Sequence, residues 1–324
     1  MSKRLIKILL WGLLVLTAIL AIGIQYWWDY PWELLSNFKV YYTLIAWGIA
    51  IACLLLQIWG WQLKRLLFLA LALAAFNSVW LIPWYLPQSS HNQSQDFADS
   101  IRVLTFNINI QNERWDEISD SVLTLQPDVA VIVESTLKAK EKLSQRLNSK
   151  LPFIYRTAGG NLTIFSRFPL ISPQSKTFNQ GTILVTSLQL PQNKINLVAA
   201  HPIVPIKPNL FHRRNGLLAE IATYLQQQPQ PLIFLGDLNL TPWSPYYRRF
   251  VSKTNLRNTR LGFGIEPSWL ENGAYINKYA KRLASFIKLP IDHIFVRGKI
   301  KVIDCQTAKA AKSDHRMLWS DLAL

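Results

Sequence analysis

Three long apolar segments near the N-terminus restrict the fold of this chain more than any other feature. They cover residues 5–24, 40–61 and 66–86, and Lys7 is the one charged residue in them. An α-helix rises about 1.5 Å per residue, so each segment as a helix would reach about 30 Å, the thickness of a bilayer's hydrocarbon core. A signal peptide would account for the first segment alone and would have a shorter apolar core. We therefore predict three transmembrane helices within residues 1–87.

The basic residues predict how these helices are oriented. Lys3, Arg4 and Lys7 lie at the start of the first segment, and Lys64 and Arg65 lie between the second and the third. Cytoplasmic loops of membrane proteins carry an excess of Lys and Arg. The N-terminus is therefore expected in the cytoplasm, and three crossings would leave the rest of the chain on the periplasmic or extracellular side. The lipid bilayer is the expected partner, and the sequence indicates no protein partner.

Residues 88–100 are polar and predict a linker without regular structure. Residues 101–324, about 224 in number, suffice for one large domain with a single core. In this part buried-strand patterns outnumber helical ones, which favours an α/β sandwich over a doubly wound parallel sheet. The strand patterns cover residues 101–107, 128–134, 161–166, 182–190, 195–200, 232–236, 291–296 and 317–322, and the helical patterns cover 114–125 and 210–226.

Polar residues recur where the predicted strands end. They are Asn107, Glu134, His201, Asp237, Asn239, Asp292, Asp314 and His315. Each alone has an ordinary explanation as a turn or capping residue. Their recurrence at strand ends instead predicts a site, because loops at one edge of the strands build the sites of layered α/β folds.

These residue types favour one kind of chemistry. Carboxylate and amide oxygens such as those of Glu134, Asp314 and Asn107 suit Mg²⁺ (or Mn²⁺), whereas zinc would require His and Cys at short spacings that the sequence lacks. Neither a GxSxG elbow nor a P-loop is present. The net charge of +16 suits a polyanionic substrate. Together these features indicate metal-assisted phosphoester hydrolysis.

Seven ordered motifs then resemble those of the endonuclease/exonuclease/phosphatase superfamily. They are TFNIN at 105–109, VIVES at 131–135, LTIFSRFPL at 162–170, AAHPIVP at 199–205, GDLNLTPWSP at 236–245, IDHIFV at 291–296 and SDHRML at 313–318. That superfamily contains DNase-type nucleases, exonuclease III-like endonucleases, neutral sphingomyelinases and inositol-polyphosphate 5-phosphatases. The resemblance is greatest to its membrane-anchored branch. It implies a four-layer α/β (α+β) sandwich, two packed β-sheets flanked by helices, as the catalytic domain of residues 101–324.

The resemblance also implies roles for the site residues. Asn107 and Glu134 would bind the metal ion, and Asp314 would complete its coordination. One departure concerns Asn109, which stands where some members of the superfamily have an acidic residue. The departure weakens the expectation of a second metal ion.

The remaining residues would carry the reaction. By the same resemblance, Asp237 would activate or orient the attacking water and Asn239 would hold the phosphate. His315, oriented by Asp292, would contact the scissile phosphate as base or electrophile, and His201 would protonate the leaving oxygen.

The substrate stays open at this point. Arg213, Arg214, Arg248 and Arg249 are candidates for phosphate binding, although a solvated basic face near a membrane would have the same composition. The leading hypothesis is a membrane-anchored phosphodiesterase or nuclease that depends on Mg²⁺. The alternatives are a phospholipase C-like, sphingomyelinase-like or phosphatase activity on lipid head groups, and a non-catalytic binding protein on the same fold.

Overall fold

The computed structural model describes residues 2–87, 100–271, 282, 286–309 and 312–324. The chain forms two compact units: Met1–Leu86 with Thr241–Arg248, and Pro87–Leu240 with Arg249–Leu324. The predicted linker lies outside the described residues apart from Ser100, which opens the first strand.

The first unit is helical. Its helices are α1 (Lys3–Gly23), α2 (Lys39–Ile58) and α3 (Lys64–Ser78), with 3₁₀ turns at Trp32–Phe38 and Ile82–Trp84. Two segments, Lys3–Gly23 and Trp32–Ile58, are long and apolar enough to cross a membrane. A signal sequence would meet the same criteria, so membrane insertion itself remains a proposal.

The third expected span is corrected by the structure. Helix α3 has 15 residues and ends at Ser78, although the apolar segment continues to residue 86. At about 1.5 Å per residue it is about 22 Å long, shorter than a hydrocarbon core. Pro83 has no backbone N–H and cannot donate to the carbonyl of Val79, so a regular helix cannot continue through this position.

Two cationic side chains mark opposite ends of the helical unit. The Lys3 ammonium lies 5.5 Å from the ring centroid of Trp61, which follows α2. The Lys39 ammonium donates to the carbonyl of Ala21 (3.3 Å) and lies 5.9 Å from the ring of Trp80. The three helices therefore alternate in direction, and α3 ends at the end opposite Lys3.

The second unit contains two six-stranded mixed sheets. One has the strand order β11-β12-β1-β2-β4-β3, and the other has the order β5-β6-β7-β8-β10-β9. The strands are β1 (Ser100–Asn107), β2 (Val129–Val133), β3 (Phe153–Arg156), β4 (Leu162–Ser166), β5 (Leu170–Phe178), β6 (Gly181–Gln189), β7 (Lys194–Ala199), β8 (Leu232–Asp237), β9 (Arg257–Asn258), β10 (Asp292–Arg297), β11 (Lys301–Ala308) and β12 (Met317–Ala323). The helices are α4 (Trp115–Thr124), α5 (Leu137–Leu147), α6 (Pro208–Gln226) and the part of α7 (Pro245–Thr254) that follows Arg248.

Alternation along the strands builds the layers. Successive strand residues point to opposite faces, so β1 directs Val103 into the core between the sheets and Leu104 and Phe106 toward α4 and α5. On β8, Leu235 enters the same central core, whereas Phe234 faces outward and packs against Phe250 of α7, with ring centroids 5.3 Å apart. The order helix, sheet, sheet, helix confirms the four-layer sandwich.

Strand register brings the polar strand ends to shared edges. Parallel pairing places Asn107 opposite Val133 and Ala199 opposite Leu235, and antiparallel pairing places Asp292 opposite Asp237. Asn107 and Glu134 therefore leave their sheet at one edge. His201 and Asp237 leave the other sheet together, beside the first residue of β10.

Candidate active site

Asp237 lies at the centre of the site. Its Oδ2 accepts a hydrogen bond from Asn107 Nδ2 (3.1 Å) and lies 3.6 Å from His201 Nε2 and 3.7 Å from His315 Nε2. Burial raises the pKa of Asp237 to about 6, repulsion from Asp292 adds to the rise, and the two histidines partly offset it. A carboxylate with a pKa near neutrality is suited to accept a proton at physiological pH.

His315 and Asp292 form a buried pair next to Asp237. His315 Nδ1 lies 2.9 Å from Asp292 Oδ2. Burial opposes charge on the imidazole, but the carboxylates of Asp292 and Asp237 outweigh it and raise the pKa of His315 to about 10. The raised pKa favours the protonated ring at neutral pH, and in that state Nδ1 donates to Asp292. Ser268 Oγ accepts from the Asp292 N–H (3.1 Å), and Ser313 Oγ accepts from the His315 N–H (3.0 Å), which fixes both backbones.

Glu134 shares the side-chain amide of Asn107 with Asp237. Asn107 is buried, and its Nδ2 donates to Glu134 Oε1 (3.0 Å) as well as to Asp237. Glu134 Oε2 accepts from the Ile110 N–H (2.6 Å), and a quarter of this side chain is exposed. Glu134 also has a φ of +60°, a backbone conformation that is uncommon outside glycine and concentrated at functional sites. Asn107 therefore holds two carboxylates side by side.

The donor atoms fit a hard divalent cation. Asp237, Asp292 and His315 offer ligand atoms that lie within 4.8 Å of one another. The hydrogen bond between His315 and Asp292 engages two of these three residues. Glu134 is solvent-accessible, and each of its oxygens can accept a second partner. Glu134 is thus the carboxylate best placed to bind Mg²⁺ or Mn²⁺, with Asp237 nearby.

Asp314 is held by two neutral donors. Its Oδ1 accepts from Asn109 Nδ2 (2.9 Å) and its Oδ2 accepts from Trp269 Nε1 (3.1 Å). These bonds fix the loop that carries His315. A role for Asp314 in binding metal remains a prediction, and the described contacts give it a positioning role.

Asn239 connects Asp237 to the segment that carries His201. Its N–H donates to Asp237 Oδ1 (2.9 Å), its Nδ2 donates to the carbonyl of Pro202 (3.0 Å), and the same Nδ2 lies 3.4 Å from His201 Nε2. Asn239 adopts a φ of +52°, which asparagine tolerates better than most residues. The turn therefore directs the side chain back toward His201.

Gly236 allows β7 and β8 to approach closely beside Asp237. Its φ is +139°, and a Cβ at this position would lie 2.0 Å from the carbonyl oxygen of Ala200. Any side chain here would separate the strands that carry His201 and Asp237.

Arg214 corrects one prediction. It was expected to bind substrate, but it is fully buried on α6 and donates through Nη1 to the carbonyl of Asn239 (3.0 Å) and through Nε to Asn215 Oδ1 (2.9 Å). The amphipathic pattern of α6 places this position on its inner face. Arg214 therefore positions Asn239 and does not face solvent.

The other predicted arginines occupy different surroundings. Arg213 and Arg249 are exposed. Arg248 is half-buried within the first unit, where its Nη1 donates to the carbonyl of Trp243 (2.8 Å) and its guanidinium lies 5.4 Å from the ring of Trp80. None of the described contacts links these three to the site, so their roles in substrate binding remain predictions.

Three residues that support the site are not predicted from the sequence. Ser268 and Trp269 contact Asp292 and Asp314, and buried Arg260 donates to the carbonyls of Asp292 (3.3 Å) and Glu266 (2.5 Å). Ser268 and Trp269 precede no strand and carry no motif, so their positions depend on tertiary contacts alone.

A model of the endonuclease/exonuclease/phosphatase family matches residues 104–315. The chain belongs to this family. The members of the family are phosphoester hydrolases that depend on divalent metal ions, which places the chain among the hydrolases. No curated protein matches the sequence itself.

Solved structures of low sequence identity share the fold of this endonuclease/exonuclease/phosphatase chain. Sphingomyelinase C from Streptomyces griseocarneus is 15% identical to this chain, and the TM-score is 0.54. The superposition covers 69% of this chain and 99% of the sphingomyelinase. D. rerio TDP2 complexed with a single-strand DNA product is 14% identical, and the TM-score is 0.56. The superposition covers 70% of this chain and 100% of the TDP2 chain. A mutant of beta toxin from Staphylococcus aureus with bound magnesium ions is 14% identical with a TM-score of 0.52, covering 68% and 99%. At these identities the likeness concerns the fold.

Proposed function

We propose that this protein is a phosphodiester hydrolase that depends on a divalent metal ion. One observation carries the proposal: Asp237 Oδ2 lies within 3.7 Å of the Nε2 atoms of both His201 and His315, beside the accessible carboxylate of Glu134. A base, two imidazole rings and a candidate metal ligand are thereby present in one cluster.

Asp237 is the proposed base. Its carboxylate accepts a proton from a water molecule as the water oxygen forms a bond to phosphorus. The N–H of Asn239 and the Nδ2 of Asn107 hold the two carboxylate oxygens, so the orientation of this base is fixed before substrate binds.

The histidines act on the phosphate and the leaving group. Protonated His315 donates through Nε2 to a non-bridging phosphoryl oxygen, and charge develops there in the transition state. The bond between phosphorus and the leaving oxygen breaks, and that oxygen takes a proton from His201. Asn239 Nδ2 donates one hydrogen to the Pro202 carbonyl. Its second hydrogen, on the side of His201 Nε2, can donate to the phosphate.

Glu134 would hold the metal ion, as the donor set indicates. When bound, Mg²⁺ or Mn²⁺ neutralises charge on the phosphoryl oxygens. The buried amide of Asn107 keeps Glu134 close to Asp237, so the same side chain aligns the metal ligand and the base.

Hydrolysis of bis-p-nitrophenyl phosphate by the detergent-solubilised full chain tests this function. We expect turnover with Mg²⁺ or Mn²⁺, none in EDTA, and a loss of about 10²–10⁴-fold in Asp237→Asn. Asp321→Asn is the matched control, since Asp321 pairs with Arg102 on β1 and contacts none of the site residues named here. Full activity of Asp237→Asn, or of the wild type in EDTA, would contradict the proposal.

We further propose that the first unit anchors the protein in a membrane. Most of the α1 surface is apolar and exposed, and only 17% of its apolar window is buried, unlike the core helix of a soluble domain. Lys3, Arg4 and Lys7 at the start of α1 support a cytoplasmic N-terminus. A domain on the periplasmic or extracellular side additionally requires the chain to cross once more between Trp61 and Leu86, which the short α3 would allow with local thinning of the bilayer.

Reporter fusions test this topology. Alkaline phosphatase fused after Leu324 should be active and green fluorescent protein at the same position should be dark. Fusions after Trp61 provide the control, because they should show the opposite pattern. An inactive phosphatase at Leu324 would place the domain in the cytoplasm, which is the outcome expected if α1 and α2 alone cross the membrane.

A further inference from the structure

Exposed apolar side chains of the second unit concentrate beside the active site. Among its described residues, six large hydrophobic side chains are exposed. Four of them, Ile110, Leu137, Val204 and Ile206, lie in loops or helix starts that directly follow site residues. Single exposed apolar residues need no explanation, but this concentration does.

The four side chains lie on two sides of the pocket. Ile110 donates its N–H to Glu134, and Leu137 begins α5 three residues after Glu134. The Lys138–Glu113 ion pair (2.5 Å) ties these two segments together. Ile110 and Leu137 are 49% and 60% exposed, so both present apolar surface to solvent.

Val204 and Ile206 flank the other side. They follow His201 and Pro202, and the carbonyl of Pro202 accepts from Asn239 in the site. Val204 is 45% exposed and Ile206 is 62% exposed, and the Ile206 N–H donates to the Val204 carbonyl (3.1 Å). This hydrogen bond closes a tight turn that holds both side chains outward.

Cations adjoin the apolar side chains on this second side. Lys207 follows Ile206 directly, and Arg213 is exposed one and a half helical turns into α6. An apolar surface with adjacent Lys and Arg is the composition that binds anionic lipid surfaces, because apolar groups enter the interface and cations pair with head groups.

We propose that this rim, defined as Ile110, Leu137, Val204 and Ile206, contacts a phospholipid surface, and that the substrate is a phosphodiester of a lipid head group. The inference rests on the proposed function. Water would attack phosphorus, Asp237 would take its proton, the bond to the diacylglycerol oxygen would break, and that oxygen would be protonated. The products are a diacylglycerol and a phosphorylated head group.

The contacts favour a lipid over a nucleic acid. Nucleic-acid affinity comes mainly from Lys and Arg on phosphates. Arg214 and Arg260, the arginines that contact site residues in the described structure, are buried and bonded to backbone carbonyls. Four aliphatic side chains are instead exposed in the segments that directly follow site residues.

The test uses the full chain reconstituted into phosphatidylcholine vesicles that contain phosphatidylglycerol labelled in its head group. Release of the labelled head group is divided by the rate of bis-p-nitrophenyl phosphate hydrolysis on the same vesicles. Protein amount, orientation and folding cancel in this ratio. The variants are Val204→Ser with Ile206→Ser, and the matched control is Phe153→Ser, an exposed residue on the edge strand β3.

We expect the double variant to lower the ratio about tenfold, because partial burial of two aliphatic side chains is lost, and Phe153→Ser to leave it unchanged. Ile206→Leu should retain the wild-type ratio. An unchanged ratio in the double variant would overturn the rim assignment. Cleavage of plasmid DNA or RNA without head-group release would overturn the lipid inference while bis-p-nitrophenyl phosphate hydrolysis still supports the proposed function. Absence of hydrolysis of every substrate would reject the proposed function itself.

Discussion

Replacing Asp292 by Asn should lower the pKa of the buried His315 imidazole and reduce turnover, while the affinity for Mg²⁺ is retained. The change removes the carboxylate charge that lies 2.9 Å from His315 Nδ1 and leaves a side chain of similar shape. The rise in the pKa of His315 from 6.5 to about 10 corresponds to about 5 kcal/mol in favour of the protonated ring. Without Asp292 the burial effect, which lowers this pKa, is no longer outweighed by two carboxylates. We expect the pKa to fall toward its ordinary value, because burial is then opposed by the charges of Asp237 and Asp314 alone.

Two measurements follow from this expectation. The ¹⁵N chemical shifts of His315, measured in EDTA, should report a protonated ring at pH 7.5 in the wild type and a neutral ring in Asp292→Asn. Turnover of bis-p-nitrophenyl phosphate should fall about 10²–10⁴-fold, the usual contribution of a positioned proton donor. Affinity for Mg²⁺, measured by calorimetry, should change little, because Glu134 is intact.

Stability adds a sign that can be checked. A group whose pKa is raised on folding stabilises the native state fully below its unfolded pKa, and the contribution disappears as pH rises through the folded pKa. The loss of stability in Asp292→Asn should therefore be largest below pH 6.5 and decline toward pH 10. A His315 that stays protonated at pH 7.5 in the variant, with normal turnover, would refute the reasoning. Asp321→Asn controls for the loss of a carboxylate elsewhere in the domain.

Three further predictions concern the metal, the turn and a buried histidine. Glu134→Gln should raise the Mg²⁺ concentration required for half-maximal turnover and be partly rescued by excess metal; an unchanged requirement would remove Glu134 from the metal site. Gly236→Ala should lower the melting temperature by several degrees and reduce turnover, because its Cβ would lie 2.0 Å from the Ala200 carbonyl oxygen; wild-type melting would contradict the close approach. Burial lowers the pKa of His293 to about 4. His293 therefore stabilises the fold fully above pH 6.5 and progressively less as pH falls to 4, so denaturant titration should show a smaller acid loss in His293→Gln than in the wild type.

The order of the motifs along the sequence predicts the site residues better than any single residue does. Asn107, Glu134, His201, Asp237, Asn239, Asp292 and His315 were all singled out from strand ends and motifs, and the structure brings them together. This was possible because strand periodicity and a terminal polar residue are local signals. The register that pairs Asp292 with Asp237 confirms that the corresponding strand ends meet.

Two predictions failed where local pattern and three-dimensional structure diverge. The apolar run 66–86 satisfied the length of a membrane span, but α3 ends at Ser78 ahead of Pro83. Arg214 carries the charge that a phosphate ligand needs, but it lies on the buried face of α6. The apolarity of a segment does not show where its helix ends, and the charge of a residue does not show whether it is buried.

The sequence by itself determined the two-part organisation, the sandwich class, the family and the residue types of the site, because hydrophobic periodicity and motif spacing are properties of neighbouring residues. Tertiary structure alone decided the protonation of His315, the pKa of Asp237 and the positioning roles of Arg214, Ser268 and Trp269. Those properties depend on burial and on charges brought within 4 Å from distant parts of the chain. Hydrogen bonds require contact and electrostatic energies weaken with distance in space, so both follow from packing rather than from sequence separation.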